Sequence, residues 1–327
     1  MPKILFLHKG QHAASTRYRA LHYFDCLRQA GWTPEECKVA KSLTSYLFAL
    51  NQARNADIVI ILRKPFKPFF RWLLRRVSKH LVFDHDDAIY VRDDGSAHPK
   101  ILSQYQKMIS LCDAVWAGND ELMKTAEPYA KHQCLIQTTL ECEKYILDEQ
   151  KPKDSVDLVW IGGSSSRPWL ENIMPALEQA AKAIPNLRLK IIADFTLHSQ
   201  NLQVIPVQWS EENEGRELAN AHIGIAPLPD TAFTRGKCGL KSLQYMAAGL
   251  PVIASPVSVQ TEIVQDGITG ILADTDQDWQ EAITFLAGNP QLQNKMGEAG
   301  RLHCRHGYSI QSGCKKMLQD LDYLLKI

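Results

Sequence analysis

The amino-acid sequence predicts an α/β protein made of two doubly wound domains, each built on a parallel sheet. The chain has 327 residues and 45% of them are apolar, which is enough to bury two cores. Short apolar runs alternate with helical patterns, and this favours parallel strands with helices on both faces. A polar stretch at 144–154 interrupts the alternation and divides it into two series.

Each series can be read element by element. In the first, strands are predicted at 4–8, 58–62 and 81–83, and an amphipathic helix at 18–30, closed by Gly31. In the second, strands are predicted at 158–161, 189–193, 223–226, 252–254 and 270–272. A last helix is predicted over 309–325.

The segment 233–256 carries the strongest functional signal. It sets three basic side chains and two glycines ahead of a short helix, and no acidic residue occurs between 232 and 261. Glycines let the backbone approach a ligand, and helix N-termini attract anions, so the pattern predicts a phosphate site. The alternative is a lysine face that is merely solvated. The residues concerned are Arg235, Gly236, Lys237, Gly239 and Lys241.

A helix is predicted after this turn because apolar residues recur at helical spacing up to Ala248, where Gly249 and Pro251 end it. Lys237, Lys241 and Gln244 are spaced so that one helical face, extended back into the loop, would present all three side chains.

The segment resembles the nucleotide-sugar site of glycosyltransferase family 4, which comprises retaining transferases with the GT-B fold. Pieces starting at Leu158, Val204, His222 and Val257 agree in order and spacing, and weaker matches start at Ala14 and Phe83. The resemblance implies two Rossmann-like domains facing across a cleft. They are an acceptor-side domain at 1–150, on which a C-terminal helix at 309–327 packs, and a nucleotide-sugar domain at 151–308.

The resemblance also implies roles for individual residues, with the amides of Gly239 and Leu240 and nearby cations stabilising the departing diphosphate. The catalytic set is Arg235, Lys237, Lys241 and Asp86. The donor-binding set is Gly162, Gly163, Ser164, Arg167, Trp209, Gly236, Gly239, Leu240 and Gln244. The acceptor-side set is Arg17, Arg19, Asp84, His85 and Asp87. A plain tight turn is the alternative for the two glycines at 162–163.

The implied activity is transfer of a sugar from a nucleoside-diphosphate sugar to a sugar, lipid-linked or other hydroxyl acceptor, in cell-surface glycan or glycolipid synthesis. The chain departs from the family at two glutamates that normally hold the donor, where it has Gly236 and Gln244. Gln244 is expected to hold a hydroxyl in place of a carboxylate. The departure leaves two alternatives open, a non-catalytic nucleotide-sugar-binding protein and a nucleotide-sugar epimerase of GT-B fold.

The acidic cluster 84–87 follows a predicted strand directly. Its carboxylates and imidazole suit acceptor hydroxyls, orientation of a reacting group, or a divalent metal. Capping of the next helix and pairing with arginines are the alternatives. The resemblance implies that no metal is needed, because lysine and arginine can neutralise the leaving phosphate.

The segment 63–79 combines seven basic residues with several aromatic ones and has no acidic residue. Such a mixture predicts peripheral contact with an anionic membrane. A core helix that keeps its arginines in water is the alternative.

Composition limits the other partners and the compartment. The net charge of +1 argues against general nucleic-acid binding, and neither GxGxxG after the first strand nor a P-loop motif is present. Eight cysteines without CxxC pairs favour reduced thiols, and the N-terminus is interpreted as a core strand rather than a signal peptide. A cytoplasmic protein is expected, with attachment to the inner membrane face left open.

Overall fold

The computed structural model describes residues 1–11, 13–147 and 149–326. They form two compact units, each holding one six-stranded sheet. The first unit comprises Met1–Leu140, Thr231–Cys238 and the chain from Ile310 onward, and the second comprises Glu141–Asp230 and Gly239–Ser309.

All strand pairs within the two sheets are parallel, which confirms the predicted doubly wound α/β class. The strand order is β2-β1-β3-β4-β5-β6 in the first unit and β12-β11-β10-β7-β8-β9 in the second. The strands are β1 (Lys3–His8), β2 (Thr33–Lys38), β3 (Ile58–Leu62), β4 (His80–His85), β5 (Ala114–Ala117), β6 (Gln133–Leu135), β7 (Val156–Ile161), β8 (Leu187–Ala193), β9 (Gln203–Gln208), β10 (Ile223–Ala226), β11 (Val252–Ala254) and β12 (Gly270–Leu272).

Helices cover the sheets, so the central strands are buried on both faces. The helices are α1 (Ala14–Arg19), α2 (Phe24–Gln29), α3 (Leu43–Asn55), α4 (Pro68–Val77), α5 (Pro99–Ile109), α6 (Asp120–Ala126), α7 (Arg167–Ala183), α8 (Glu214–Ala219), α9 (Leu240–Ala247), α10 (Gln260–Ile263), α11 (Asp276–Ala287), α12 (Pro290–Gly307) and α13 (Ile310–Leu324). Short 3-10 turns lie at Leu21–Tyr23, Cys142–Tyr145, Ser164–Ser166 and Thr234–Gly236.

The helix predicted over 18–30 is interrupted. Ala20 has φ −133° and ψ −70°, outside the helical region, so α1 ends before it and α2 begins four residues later. The apolar spacing continues across the break because the 3-10 turn and α2 contribute to the same core, through Tyr23 and Leu27.

The last helix, α13, belongs to the first unit. Asp320 on α13 accepts hydrogen bonds from Trp116 Nε1 at 2.6 Å and pairs with His132 Nε2 at 2.5 Å. The structure also joins Cys26 of α2 to Cys314 of α13 in a disulfide, with Cα atoms 6.6 Å apart, whereas the sequence led us to expect only reduced thiols.

In the described part of the chain, no helix combines the length and the apolar character needed to cross a bilayer.

Candidate functional site

The second unit brings the start of α9 to the loop that follows β7. Lys241 Nζ donates a hydrogen bond to Ser166 Oγ at 3.1 Å, and Ser166 Oγ donates to Gly163 O at 3.0 Å. The ammonium also lies over the ring of Trp160, 4.6 Å from its centroid. These contacts hold a positive charge beside the carboxyl end of β7, the edge of an α/β sheet where ligands bind.

The two glycines of the loop after β7 have different surroundings. A Cβ on Gly162 would lie 2.5 Å from the Trp160 ring and 2.8 Å from Ser166 Oγ, so only glycine fits there. A Cβ on Gly163 would meet nothing within 4 Å. Ser164 next to them donates to Asp194 at 2.7 Å, and this hydrogen bond lowers the pKa of Asp194. The loop therefore offers open space at Gly163 beside a fixed cation.

The N-terminus of α9 completes this arrangement. Gly239 precedes the helix with φ +68°, a left-handed conformation, and a Cβ there would lie 2.2 Å from Ile263 Cδ1. Among the described residues no side chain caps this helix, and Leu240 is its first residue. The first-turn amides and Lys241 thus favour a negative group at the same end of α9.

Arg167, also expected at the donor, begins α7 and is about half exposed. Its Nε donates to Glu171 at 2.7 Å, one turn along the helix, and its guanidinium lies 5.5 Å from the Phe195 ring centroid. The charge of Arg167 is therefore partly balanced on the helix surface.

Gln244 and Trp209 meet at a buried carboxylate that the sequence analysis did not single out. Glu214 is 3% exposed and accepts from Gln244 Nε2 at 2.8 Å, from Trp209 Nε1 at 2.8 Å and from Tyr145 Oη at 2.5 Å. The Gln244 amide group is thus turned toward the protein interior, where it donates hydrogen bonds to Tyr145 and Glu214 and carries no charge that could balance the carboxylate.

The expected single face of Lys237, Lys241 and Gln244 does not form. Lys237 follows the 3-10 turn in an extended conformation and is not helical, because α9 begins only after Gly239. Lys237 also belongs to the first unit, whereas α9 belongs to the second. Lys241 and Gln244 are on α9 but have separate partners, Ser166 for the first and Glu214 for the second.

In the first unit, the segment 231–238 packs on the carboxyl ends of β4 and β5. Lys237 Nζ lies 3.0 and 3.1 Å from the two carboxylate oxygens of Asp87, and 4.0 Å from the Phe233 ring centroid. Asp87 also pairs with Arg63, whose Nε lies 3.3 Å from Asp86 Oδ1. The acidic residues 86–87 thus neutralise cations of this unit.

Two residues fix the turn that carries Arg235 and Gly236. Asn119, which caps α6, donates through Nδ2 to Arg235 O at 3.1 Å and Lys237 O at 2.8 Å. Gly236 is buried, and a Cβ on it would lie 2.6 Å from Ala88 Cβ. The space at Gly236 is therefore filled by the protein rather than left for a donor. Arg235 itself is exposed.

Three of the five residues expected on the acceptor side are almost completely buried in the interior. Arg19 and Asp84 are 1% exposed and form an ion pair, with Arg19 Nε donating to Asp84 at 3.0 Å. Burial opposes the charge on Arg19, but Asp84 outweighs it and raises the pKa of Arg19. Both charges therefore serve the interior of this unit. Asp87 is also buried, at 8% exposure, and of the whole set only Arg17 is partly exposed.

His85 is the third interior residue and is fully buried. Its Nδ1 lies 3.0 Å from Trp116 O and its Nε2 lies 3.0 Å from Tyr105 Oη, so one ring nitrogen donates and the other accepts. Burial lowers the pKa of His85 to about 4. The neutral ring acts as a core hydrogen-bonding group. Across the described residues, no three His, Cys, Asp or Glu side chains are grouped as metal ligands.

Several residues of these networks escaped the sequence analysis. Ser166 is the last of three consecutive serines and Glu214 ends the polar run 210–214, so neither differs in type from its neighbours, and Asn119 carries only a helix-capping signal. Arg63 directly follows a buried strand and has φ 55°, but in the sequence it is the first residue of the basic segment 63–79 and does not stand out from it. Their partners lie far away in the chain, so no local pattern identifies them.

Comparison with protein families gives one match. Residues 140–289 match the family described as "Glycosyl transferases group 1". A D-inositol 3-phosphate glycosyltransferase from Arthrobacter sp. (strain FB24) is 35% identical over 69 residues, which cover 20% of this chain and 16% of that protein. One from Nocardioides sp. (strain ATCC BAA-499 / JS614) is 29% identical over 111 residues, covering 33% and 23%. The chain thus spans less than a quarter of the length of these curated relatives.

Solved structures match over the whole chain. The sucrose-phosphate synthase (tll1590) from Thermosynechococcus elongatus has a TM-score of 0.79 at 14% identity and covers 100% of both chains. Alr3699/HepE from Anabaena, in complex with UDP and glucose, has a TM-score of 0.68 at 13% identity and covers 99% and 100%. At such identities the likeness concerns the fold. The chain therefore has the GT-B fold with two Rossmann-like domains, and its residues 140–289 are similar to the glycosyl transferases group 1 family.

Proposed function

We propose that the chain is a retaining glycosyltransferase that moves a sugar from a nucleoside-diphosphate sugar to an acceptor hydroxyl. The observation that carries this proposal is the contact between Lys241 and Ser166, which fixes a cation at the glycine loop after β7. A diphosphate is the ligand that suits a cation, a helix N-terminus and an open glycine together. The similar Anabaena protein, whose solved complexes contain UDP with glucose and UDP-glucose, supports the same donor class.

In the proposed reaction, the bond between the anomeric carbon and the diphosphate oxygen breaks, and a bond to the acceptor oxygen forms on the same face of the sugar. The acceptor proton ends on the departing diphosphate. Negative charge grows on that diphosphate as the bond breaks, and Lys241 stabilises it with the first amides of α9. Gly163 leaves room for the phosphate to approach the loop backbone.

We propose the remaining catalytic roles on the first unit. Arg235, which is exposed, and Lys237, which pairs with Asp87, contribute further positive charge to the reaction. Asp86 acts on the acceptor, and Arg63, which pairs with both Asp86 and Asp87, orients it. We further propose that the reaction needs no metal, since lysine and arginine charges suffice for the leaving diphosphate.

Product analysis tests the proposal. The protein is incubated with UDP-, GDP- and dTDP-sugars, with hydroxyl acceptors and with EDTA, and the products are followed by mass spectrometry and by the NMR coupling of the anomeric proton. We expect release of nucleoside diphosphate and a product with the anomeric configuration of the donor. Inversion contradicts the retaining mechanism, epimerised donor without acceptor indicates the epimerase, and tight donor binding with no product indicates a non-catalytic binder.

A further inference from the structure

The helices α3 and α4 of the first unit carry an exposed apolar surface bordered by positive charge. The aromatic residues Phe69 and Trp72 on α4 are 73% and 49% exposed, and Leu43 and Leu47 on α3 are 73% and 57% exposed. We name this set, together with three exposed cations, the basic-aromatic face. It consists of Leu43, Leu47, Phe69, Trp72, Lys41, Lys67 and Arg76.

The two helices are neighbours in the fold and pack against each other. The rings of Tyr46 on α3 and Phe70 on α4 lie 4.4 Å apart at their centroids. Leu43 and Leu47 are three residues before and one residue after Tyr46, and Phe69 precedes Phe70. The inward sides of the helices are already used, since Phe70 and Leu74 are buried in the core of this unit. The outward apolar side chains are therefore a separate feature and not an incomplete core.

The outer side of α4 is organised. The rings of Phe69 and Trp72 are stacked at 6.4 Å, and the Arg76 guanidinium lies 4.9 Å from the Trp72 ring centroid. The aromatic pair and its cation thus present an apolar body with a charged edge, the arrangement that side chains adopt at a boundary between water and apolar surroundings.

The charge around the face is one-sided. Residues 39–83 contain nine basic residues and one acidic residue, Asp57, which pairs with Lys79 at 2.6 Å. The inward cations are balanced within the fold, as Arg75 is by Asp113 at 2.5 Å. For Lys41, Lys67 and Arg76, no carboxylate partner occurs among the described residues. Positive charge around exposed apolar groups fits a surface that is negative outside and apolar beneath.

We propose that the basic-aromatic face docks on an anionic lipid bilayer, with Phe69, Trp72, Leu43 and Leu47 entering the interface and the cations contacting the headgroups. An apolar patch on a single chain indicates a binding partner, and the excess of positive charge selects anionic lipid rather than neutral lipid. Docking holds the protein peripherally, and it stands independently of the proposed sugar transfer.

Vesicle co-sedimentation tests the docking. We expect the full-length chain to bind vesicles of phosphatidylcholine with 30% phosphatidylglycerol at low salt, on the order of tenfold more tightly than pure phosphatidylcholine, with binding weakened by salt. Lys67→Gln and Arg76→Gln should each weaken binding about fivefold. The control pair Lys182→Gln and Lys295→Gln changes exposed lysines of the second unit and should bind like the parent.

Insertion is tested separately from adsorption. The double variant Phe69→Ser and Trp72→Ser should lose about tenfold or more in vesicle affinity, whereas Phe285→Ser, which removes an exposed ring from α11, should not. Lipids brominated in the acyl chain should quench tryptophan fluorescence of the parent protein, and Trp72→Phe should remove this quenching while it keeps binding. Thermal unfolding and the far-UV circular dichroism spectrum of each variant show whether the fold is intact.

Three results would overturn the proposal. One is the absence of binding to anionic vesicles at low salt. Another is binding that the double serine variant leaves unchanged, since this would be adsorption by charge alone. The third is a dimer in solution that the double serine variant dissociates, because the face would then be covered by a second copy of the chain.

Discussion

Lys241 Nζ on α9 and Ser166 Oγ before α7 are joined by a hydrogen bond of 3.1 Å. The bond links two elements that are 75 residues apart in the chain and sets one positive charge at the glycine loop. The phosphate site proposed for this protein depends on that link. Four features around it, and in the first unit, lead to separate predictions.

Gly162 and Gly163 should respond differently to the same substitution. Gly162→Ala forces a methyl group into the Trp160 ring and Ser166, so we expect a loss of about 1–3 kcal/mol in unfolding free energy. Gly163→Ala meets open space and should change stability by less than about 0.5 kcal/mol. Urea unfolding of both variants measures this, and equal stability of the two would show that the loop is packed differently.

Replacement of Gln244 by glutamate should lower the stability of the protein, because Glu214 faces this position. Gln244→Glu sets a second carboxylate where an amide now donates to Glu214 at 2.8 Å, both in a buried site, and we expect a loss of about 2–4 kcal/mol at neutral pH. The double variant Gln244→Glu with Glu214→Gln restores one acid and one amide and should regain most of this loss. Thermal unfolding of the singles and the double distinguishes the outcomes, and full stability of the single variant would contradict the network.

Asn119 should matter for the turn at 235–237 beyond its role as a helix cap. Asn119→Asp keeps an acceptor for the Leu122 amide but loses both donations to Arg235 O and Lys237 O. We expect a loss of about 1–3 kcal/mol, since two carbonyl groups lose a donor and face a carboxylate instead. If Asn119→Asp is as stable as the parent, Asn119 contributes only as the cap of α6. The loss of stability in Asn119→Ala then measures that capping contribution.

Burial of neutral His85 should make stability fall in acid. Its pKa is lowered to about 4 in the folded chain, so the unfolded chain binds the proton more readily. This contribution is complete above a pH of about 6.5 and is lost as pH falls toward about 4, amounting to ~3 kcal/mol.

Unfolding free energy is measured between pH 7 and 4 to test this. His85→Gln, which cannot titrate, should have a flatter profile than the parent, whereas the exposed His306→Gln should follow the parent. A profile of the His85→Gln variant as steep as that of the parent would assign the acid sensitivity to other groups.

The sequence was sufficient for the fold class and for most buried strands, because a buried parallel strand is an apolar run. Strands at 58–62, 223–226, 252–254 and 270–272 were predicted with the bounds they have. The edge strand β2 was missed because it contains Pro34 and because its half-exposed positions admit Glu35 and Glu36. The sequence therefore identifies a strand through its run of buried apolar residues and not through its backbone geometry.

The candidate site was predictable only in part. The glycines and Lys241 were identified because their residue types are unusual together. The burial of Arg19 and His85 could not be predicted, because a guanidinium or imidazole group near the end of an element is typical of a functional site. Its structural role follows only from its partners, which are Asp84 for Arg19 and Trp116 and Tyr105 for His85. Such partners come from other elements of the sheet, and one sequence does not show which.

Calorimetric titration of the parent, Lys241→Gln and Lys295→Gln with UDP, GDP and dTDP measures the proposed phosphate site itself. We expect at least one nucleoside diphosphate to bind the parent, Lys241→Gln to weaken this binding about tenfold or more, and Lys295→Gln to match the parent within about twofold. Parent protein that binds none of the three, or a Lys241→Gln variant that binds as tightly as the parent, would contradict a phosphate site at α9.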